Sequence, residues 1–113
     1  MSPAPAQRLF LVTRARGARW DDARPMEEQE DWQGHADFMN ALAREGFIAL
    51  GGPIDGTRET LLVVRASDET QIQTRLSADP WSRSQLLRVS EIRPWTLRLG
   101  SIPERSPREN VAG

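Results

Sequence analysis

The chain has 113 residues, of which 38% are hydrophobic and 27% are charged, and its net charge at pH 7 is -1. This length is typical of a single domain with one core. The near-zero net charge provides no basic surface, so nucleic acid and anionic membranes are poor candidate partners.

Cysteine and lysine are both absent. Disulfides, thiolate nucleophiles and Cys-based metal sites are therefore excluded, and so is Schiff-base chemistry on lysine. No apolar run approaches the roughly 18 residues that span a bilayer. The start of the chain, MSPAPAQR, lacks the basic and apolar parts of a signal peptide. We therefore expect a cytoplasmic protein.

Both ends of the chain have too little apolar content to pack, which predicts flexible tails at residues 1–7 and 101–113 around a domain at 8–100. The first element, RLFLVTR (8–14), is apolar on both phases, as in a strand inside a sheet. A polar segment follows at 15–31. It is too long for a simple turn, so it is either functional or loosely ordered.

Apolar spacings of three and four predict a helix from Asp31, which Gly46 ends as a C-terminal cap. Strands are predicted at 47–54 and 60–66, joined by a hairpin-like loop. Ser67 is predicted to cap a second helix that stops before Pro80.

The last predicted strand, 86–99, places Trp95, Leu97 and Leu99 on one face, with a bulge or an edge near 92–94. The order β, α, β, β, α, β predicts an α+β, ferredoxin-like fold, in which two helices cover one face of a four-stranded antiparallel sheet. The second face then needs cover. A second copy of the sheet would provide it, so we expect a homodimer.

His35 is the one histidine of the chain, and it lies on the core-facing side of the first predicted helix. The simpler interpretation is a partly buried histidine satisfied by one hydrogen bond. The alternative is an acid/base residue, and that role requires a partner that fixes the tautomer of the ring.

Asp79 is a candidate for that partner. Ile72, Leu76 and Asp79 stand at i, i+4 and i+7, so the acid continues the stripe that faces the sheet. Because both helices cover the same face, His35 and Asp79 can meet across it. The simpler interpretation of Asp79 is an Asx-type turn before Pro80.

Other motifs are less specific. A single histidine with scattered acids makes no metal cluster of diagnostic spacing, so we expect no metal. Gly52 and Pro53, in the Gly-Gly-Pro break, mark a strand end where the backbone approaches a ligand or the helix of His35. Trp81 is typical of a core, but beside Asp79 it can also form the wall of a small pocket, together with Trp32.

Several of these segments together resemble the YciI-like, or YCII-related, proteins: PMEEQEDWQGHADFMNALAREGFIALGGPI, then LLVVRASDE, SADPWSR and RPWTL, over about residues 8–99. The resemblance implies a ferredoxin-like protomer that pairs into a dimeric α+β barrel. It also implies a pocket with a histidine and an aspartate as active-site pair, which match His35 and Asp79. Some relatives are similar to cofactor-free enzymes that eliminate chloride or rearrange small ring compounds. The long segment RARGARWDDAR is a departure from the shorter members.

Two functions follow as hypotheses. The first is a cofactor-independent lyase- or isomerase-type enzyme that acts on a small cyclic or unsaturated molecule, with His35 moving the proton and Asp79 orienting it. The second is a non-catalytic dimeric module that binds a small ligand or a partner protein. A third hypothesis, a haem-binding barrel with His35 as axial ligand, is the weakest of the three.

Overall fold

The computed structural model describes residues 7–102, so most of the two predicted tails lies outside the described residues. Between them the chain forms four strands, three helices and one 3-10 turn. In chain order they are β1 (Arg8–Arg16), the turn (Met26–Glu28), α1 (Trp32–Glu45), β2 (Ile48–Pro53), β3 (Glu59–Ala66), α2 (Glu69–Ser77), α3 (Pro80–Arg83) and β4 (Leu87–Trp95).

The four strands form one antiparallel sheet in the order β2-β3-β1-β4. The fold is therefore α+β and compatible with a ferredoxin-like arrangement. The predicted place of β1 inside the sheet is confirmed, since it pairs with β3 on one side and β4 on the other.

Side chains of β1 alternate between two environments. Phe10, Val12 and Arg14 point to the face that the helices cover, and each is at most 1% exposed. Because successive strand residues point to opposite faces, Leu9 and Leu11 lie on the other face, where they are partly exposed. The main core thus lies between the sheet and the helices. Its buried members are Phe10, Val12, Ala36, Met39, Leu42, Phe47, Ile48, Leu62, Val64, Ala66, Ile72 and Leu76.

Helix α1 has the predicted ends. The Asp31 carboxylate accepts the Gly34 N–H, and Asp31 itself is in the left-handed region, with φ 55°. Gly46 ends the helix with φ 85° and donates its N–H to carbonyls of the last turn. A residue without Cβ adopts this conformation at little cost. The apolar side of the helix, including His35, then faces the sheet.

The predicted end of the second helix before Pro80 is confirmed, since α2 ends at Ser77, but its predicted N-cap is wrong. Its N-cap is Asp68, whose carboxylate accepts the Gln71 N–H, and Ser67 is not the cap. Ser67 lies one residue further from the helix than Asp68. Its amide and hydroxyl both donate to the Gln71 side chain, so its hydroxyl does not accept from the helix backbone. After Ser77 the chain does not simply stop. It begins the additional short helix α3 at Pro80.

Strand β4 ends at Trp95, so the predicted face formed with Leu97 and Leu99 is wrong. Leu99 lies beyond the sheet and is 88% exposed. The predicted edge position is confirmed, but the irregularity lies earlier than 92–94. Thr13 pairs with Glu91 and Arg14 pairs with Val89, so the extra residue in β4 is Ser90. Its hydroxyl and that of Thr13 share a hydrogen bond of 2.8 Å.

The face of the sheet away from the helices carries apolar side chains that the described chain leaves partly open. Leu11 and Val63 are paired there, and Val63 pairs on its other side with Leu50, which is 50% exposed. Trp95, on the same face, is 37% exposed. Within residues 7–102, no helix combines the length and the apolar character that crossing a membrane requires.

Candidate functional site

Asp79 lies at the junction of α2 and α3. Its amide donates to Leu76 at the end of α2, and its carboxylate accepts the Trp81 N–H at 2.9 Å as the N-cap of α3. Pro80 takes the first helical position, where the missing N–H has no cost. The acid therefore does not oppose the dipole of a continuing helix. It begins a new helix, and its side chain points inward with no exposed area.

His35 of α1 and Asp79 are in direct contact. The Nδ1 atom of His35 lies 2.9 Å from Oδ2 and 3.1 Å from Oδ1 of Asp79. An ionised carboxylate only accepts hydrogen bonds, so Nδ1 must carry the proton. The Nε2 atom is buried and has no hydrogen-bond partner among the described residues. In the neutral ring, the contact fixes the tautomer and leaves the lone pair on Nε2.

Arg14 of β1 is the third charged member of this group. Its Nη1 lies 2.9 Å from Asp79 Oδ2, and both side chains are fully buried. Nη2 donates to Ser82 Oγ at 2.8 Å, and that hydroxyl donates to the Leu76 carbonyl. We refer to Arg14, His35, Asp79 and Ser82 as the polar cluster. It lies between β1, α1 and the α2–α3 junction, and so connects sheet and helices.

Opposing effects act on the charges of the polar cluster. Burial raises the pKa of Asp79, but the hydrogen bond from His35 and the charge of Arg14 lower it more, so the pKa of Asp79 lies below its ordinary value. Burial lowers the pKa of Arg14, and Asp79 partly restores it. A guanidinium nevertheless keeps its proton at any ordinary pH. Asp79 is therefore a carboxylate beside a cation.

Tryptophan side chains enclose the ring of His35. Trp81 stacks on it at 3.9 Å between centroids and 4° between planes. Trp32 lies at a tilt, 5.9 Å from the same ring. The Trp81 Nε1–H donates to the Glu30 carbonyl at 2.7 Å, which joins α3 to the chain just before α1. The predicted walls, Trp32 and Trp81, thus both contact His35.

The segment between β1 and α1 covers this group from one side. Trp20 packs edge-on against Trp81, with centroids 5.4 Å apart and planes at 89°. The Arg16 guanidinium lies 4.7 Å over the Trp20 ring. The Gln29 side chain donates to the carbonyls of Asp21 and Arg24 and so holds the segment closed on itself. We call residues 17–31 the covering segment. It is ordered against the site and not loose.

The enclosure is nearly complete. His35 and Asp79 have no exposed area, and a cavity beside Trp81 has a volume of about 10 Å³, roughly that of one water molecule. Ligation of a haem iron through His35 would require Nε2 to reach a large flat group, and this burial does not fit it. Any substrate must displace part of the enclosure.

The two remaining predicted site residues differ in position. Pro53 lines the small cavity together with Trp81 and Trp20. Gly52 pairs with Leu61, which lies on the sheet face away from the helices. A Cβ built on Gly52 would meet no atom within 4 Å. The structure therefore brings Trp32, His35, Asp79 and Trp81 together. Pro53 meets this group only where the small cavity reaches Trp81, and Gly52 does not join it.

A groove of about 460 Å³ lies on the other side of Ser82, between α2 and the edge strand β4. Glu69, Gln73 and Ser77 line it from one stripe of α2, and Ser90 of the bulge lines it from β4. Ser82 borders both the groove and Arg14. Among residues 7–102, no group of three or more His, Asp and Glu side chains is arranged to hold a metal ion.

Arg14 and Ser82 belong to the polar cluster but are not among the residues predicted from the sequence. A signal for Arg14 was present, because it follows Phe10 and Val12 at the period of two that marks one face of a strand. A cation on the core face of a strand requires a buried counter-charge, and the helical spacing of Ile72, Leu76 and Asp79 makes Asp79 the candidate. Ser82 gave no comparable signal, since its position depends on α3.

Comparison with protein-family models, with curated proteins and with solved structures found no significant match to this chain. The resemblance to the YciI-like family therefore stays a prediction based on the motifs.

Proposed function

We propose that the protein is a cofactor-independent enzyme of the YciI-like kind, which moves a proton on a small cyclic or unsaturated molecule. One observation carries the proposal: the buried His35 donates Nδ1–H to the Asp79 carboxylate, while its Nε2 has no hydrogen-bond partner within residues 7–102. A histidine so oriented, beside a carboxylate of lowered pKa, is the arrangement that general acid–base catalysis uses.

Each residue has a defined part in this chemistry. Nε2 of His35 exchanges a proton with the substrate, and Asp79 holds the ring and stabilises the imidazolium. Trp32 and Trp81 give the apolar surface on which a flat or unsaturated ring packs. Elimination and isomerisation both begin with such a proton transfer, so either fits the residues.

Access to Nε2 requires motion, and the covering segment is the part we infer to move. Its Trp20 contacts the Trp81 ring that stacks on His35. Closure of such a segment over a bound substrate excludes water and strengthens the electrostatic interactions inside. The segment that departs from the shorter family members thus acquires a role as a lid.

We also propose that protomers pair through the open sheet face, as in a dimeric α+β barrel of ferredoxin-like subunits. This face carries Leu50 and Trp95, which are exposed, and Leu11, which is partly exposed, and a contiguous apolar patch left in water marks a surface of association. The pairing would cover β1 on its second side, as its sequence predicts.

Complete burial of His35 favours a second candidate function. In it, the polar cluster is a structural unit that fixes α1 and α3 on the sheet, and the protein is a non-catalytic dimeric module that binds a small ligand or a partner protein. Buried, mutually satisfied polar groups do serve this purpose. The two candidates differ in whether Nε2 ever meets a substrate.

Proton exchange in heavy water distinguishes them. The probes are small unsaturated lactones and their chlorinated derivatives, whose C–H signals next to the carbonyl are followed by proton NMR. The proposal predicts catalysed loss of such a signal. His35→Asn should slow it at least about 100-fold, because general acid–base groups contribute that much. The Asn amide replaces the Nδ1–H donor to Asp79 but has no counterpart of Nε2.

Ser84→Ala is the matched control, since Ser84 Oγ is another buried polar atom without a partner in the described part of the chain. It should exchange the probe at the rate of the unaltered protein. If His35→Asn exchanges the probe as fast as the unaltered protein does, the catalytic role of His35 is refuted. Line broadening of a probe without exchange would support the binding module.

A further inference from the structure

The charges of the polar cluster are balanced without a proton on Nε2 of His35. Arg14 and Asp79 form an ion pair of 2.9 Å in which both side chains are fully buried. Their charges sum to zero. An imidazolium at His35 would add a positive charge to a volume that already holds a permanent cation, and a buried charge without a partner is costly.

The Arg14 guanidinium is held beside Asp79 by several contacts. Nη1 contacts Asp79 and also lies 3.6 Å from Met39 Sδ, while Nη2 is held by Ser82. The Ser82 hydroxyl is fixed in turn by the Leu76 carbonyl. The β-bulge at Ser90 lies beside Arg14 in the neighbouring strand, where bulges commonly re-aim a side chain.

The other surroundings of the His35 ring are uncharged. Asp79, at the start of α3, is the charged side chain that contacts the ring in the described part of the chain, and Arg14 of β1 contacts Asp79 in turn. Trp32 of α1 and Trp81 of α3 supply aromatic contacts. Glu30, in the covering segment, approaches through its backbone carbonyl and has an exposed side chain.

We propose that Arg14 is a positioning residue that neutralises Asp79 and thereby keeps resting His35 uncharged, with its proton on Nδ1, so that His35 acts as a general base and not as a general acid. The inference rests on the proposed function for this direction of proton transfer. In the step, a substrate C–H bond breaks and its electron pair stays on the substrate. The proton forms the new N–H bond at Nε2, and the ring becomes an imidazolium that Asp79 stabilises.

The charge state of His35 is measurable without a substrate. The chain has one histidine, so the imidazole signals in ¹⁵N NMR of the labelled full chain are unambiguous. The measurement is made at about pH 6.5, where a histidine in water is half protonated. We expect one protonated and one unprotonated nitrogen in the unaltered protein. Two protonated nitrogens there would overturn the inference.

Arg14→Met removes the charge and keeps much of the volume. The Asp79 carboxylate then has only His35 as a counter-ion, so we expect loss of the unprotonated Nε2 signal at the same pH. Arg14→Lys, which retains a cation, should restore that signal. A neutral ring in a folded Arg14→Met variant would overturn the inference, and if that variant fails to fold, the unaltered protein and Arg14→Lys still decide it.

Failure of the inference is distinguishable from failure of the proposed function. An imidazolium in the resting protein with His35-dependent probe exchange would refute the role of Arg14 and leave the enzyme. If the His35 ring is neutral in the resting protein but no probe exchanges, Arg14 still sets the charge of His35, and the role of His35 as general base is refuted.

Discussion

Asp79 is the residue through which the polar cluster is connected. Its carboxylate accepts from His35, from the Trp81 amide and from Arg14, and these donors come from α1, α3 and β1. Three donors around one buried carboxylate explain why its pKa is low in spite of its burial. The same residue thus sets the tautomer of the histidine and fixes two helices on the sheet.

Asp79→Asn should be strongly destabilising. The amide keeps the shape of the side chain but leaves the buried Arg14 cation without its counter-charge. Removal of one partner of a buried ion pair costs about 3–5 kcal/mol, and we expect the free energy of unfolding at about pH 7 to fall by that amount. Urea unfolding followed by tryptophan fluorescence measures it.

The matched control is Asp31→Asn, the same change at the exposed N-cap of α1. Asn caps a helix and tolerates the left-handed conformation about as well as Asp, so the loss should stay below about 0.5 kcal/mol. Similar losses in both variants would contradict the central place of Asp79.

The contribution of Asp79 to stability should depend on pH. Since its pKa in the folded protein lies below the value in the unfolded chain, ionised Asp79 contributes fully above about pH 4 and loses this contribution as pH falls through the folded-state pKa. The difference between the unaltered protein and Asp79→Asn should therefore be constant from about pH 7 to about pH 4 and shrink below. A difference that grows on acidification would contradict the lowered pKa.

Single residues of the site were predictable where one periodicity sufficed. The inward direction of His35 and Asp79 follows from helical spacing, and their contact follows from two helices that share a sheet face. Arg14 was accessible by the same reasoning on a strand. The complete burial of His35 and Asp79 was not predictable, because it depends on how Trp20 and Trp81 pack. Residues that far apart in the chain leave no pattern in a single sequence.

At the scale of elements, α3 shows that the same pair of residues, Asp79 and Pro80, is compatible with the end of one helix and with the start of another. Asp followed by Pro is typical of a helix end, as at the end of α2, but an Asp N-cap with Pro at the first helical position equally begins a helix. The carbonyl of Asp79 accepts N–H bonds from Ser82 and Arg83, which complete the turn. The choice between these meanings depends on Trp81, which is buried only if the chain turns back toward α1.

The covering segment should control access to His35. Trp20→Ala removes the side chain that packs against Trp81, so local opening becomes easier and we expect the ring to be modified by diethyl pyrocarbonate roughly tenfold faster. With one histidine and no lysine in the chain, mass spectrometry of the modified peptide follows the reaction without interference from lysine amines.

Glu27→Ala is the control within the same segment, because Glu27 is exposed in the 3-10 turn. It should leave the modification rate unchanged. An equal rate in Trp20→Ala and the unaltered protein would show that access to the ring does not pass through this segment.

For the whole molecule, the two faces of the sheet differ in how far the chain itself covers them. The face under the helices is closed within the chain, while the opposite face leaves Leu50 and Trp95 exposed. Strand order and alternation were largely predictable, since both follow from period-two patterns and short connections. The end of β4 was not, because Trp95, Leu97 and Leu99 keep the alternation after the pairing with β1 has ended.

Leu50→Arg tests whether the open face is the surface through which two copies associate. Leu50 is half exposed in one chain, so arginine is tolerated there by the protomer, but in a sheet-to-sheet dimer it buries an unpaired charge near its own copy. We expect the unaltered protein to show twice the chain mass by sedimentation equilibrium and Leu50→Arg to show the mass of one chain. Gln73→Arg, the same charge on an exposed position of α2, should remain dimeric. A dimer that survives Leu50→Arg but dissociates with Gln73→Arg would place the interface on the helical side, beside the groove between α2 and β4, and would refute pairing through the sheet.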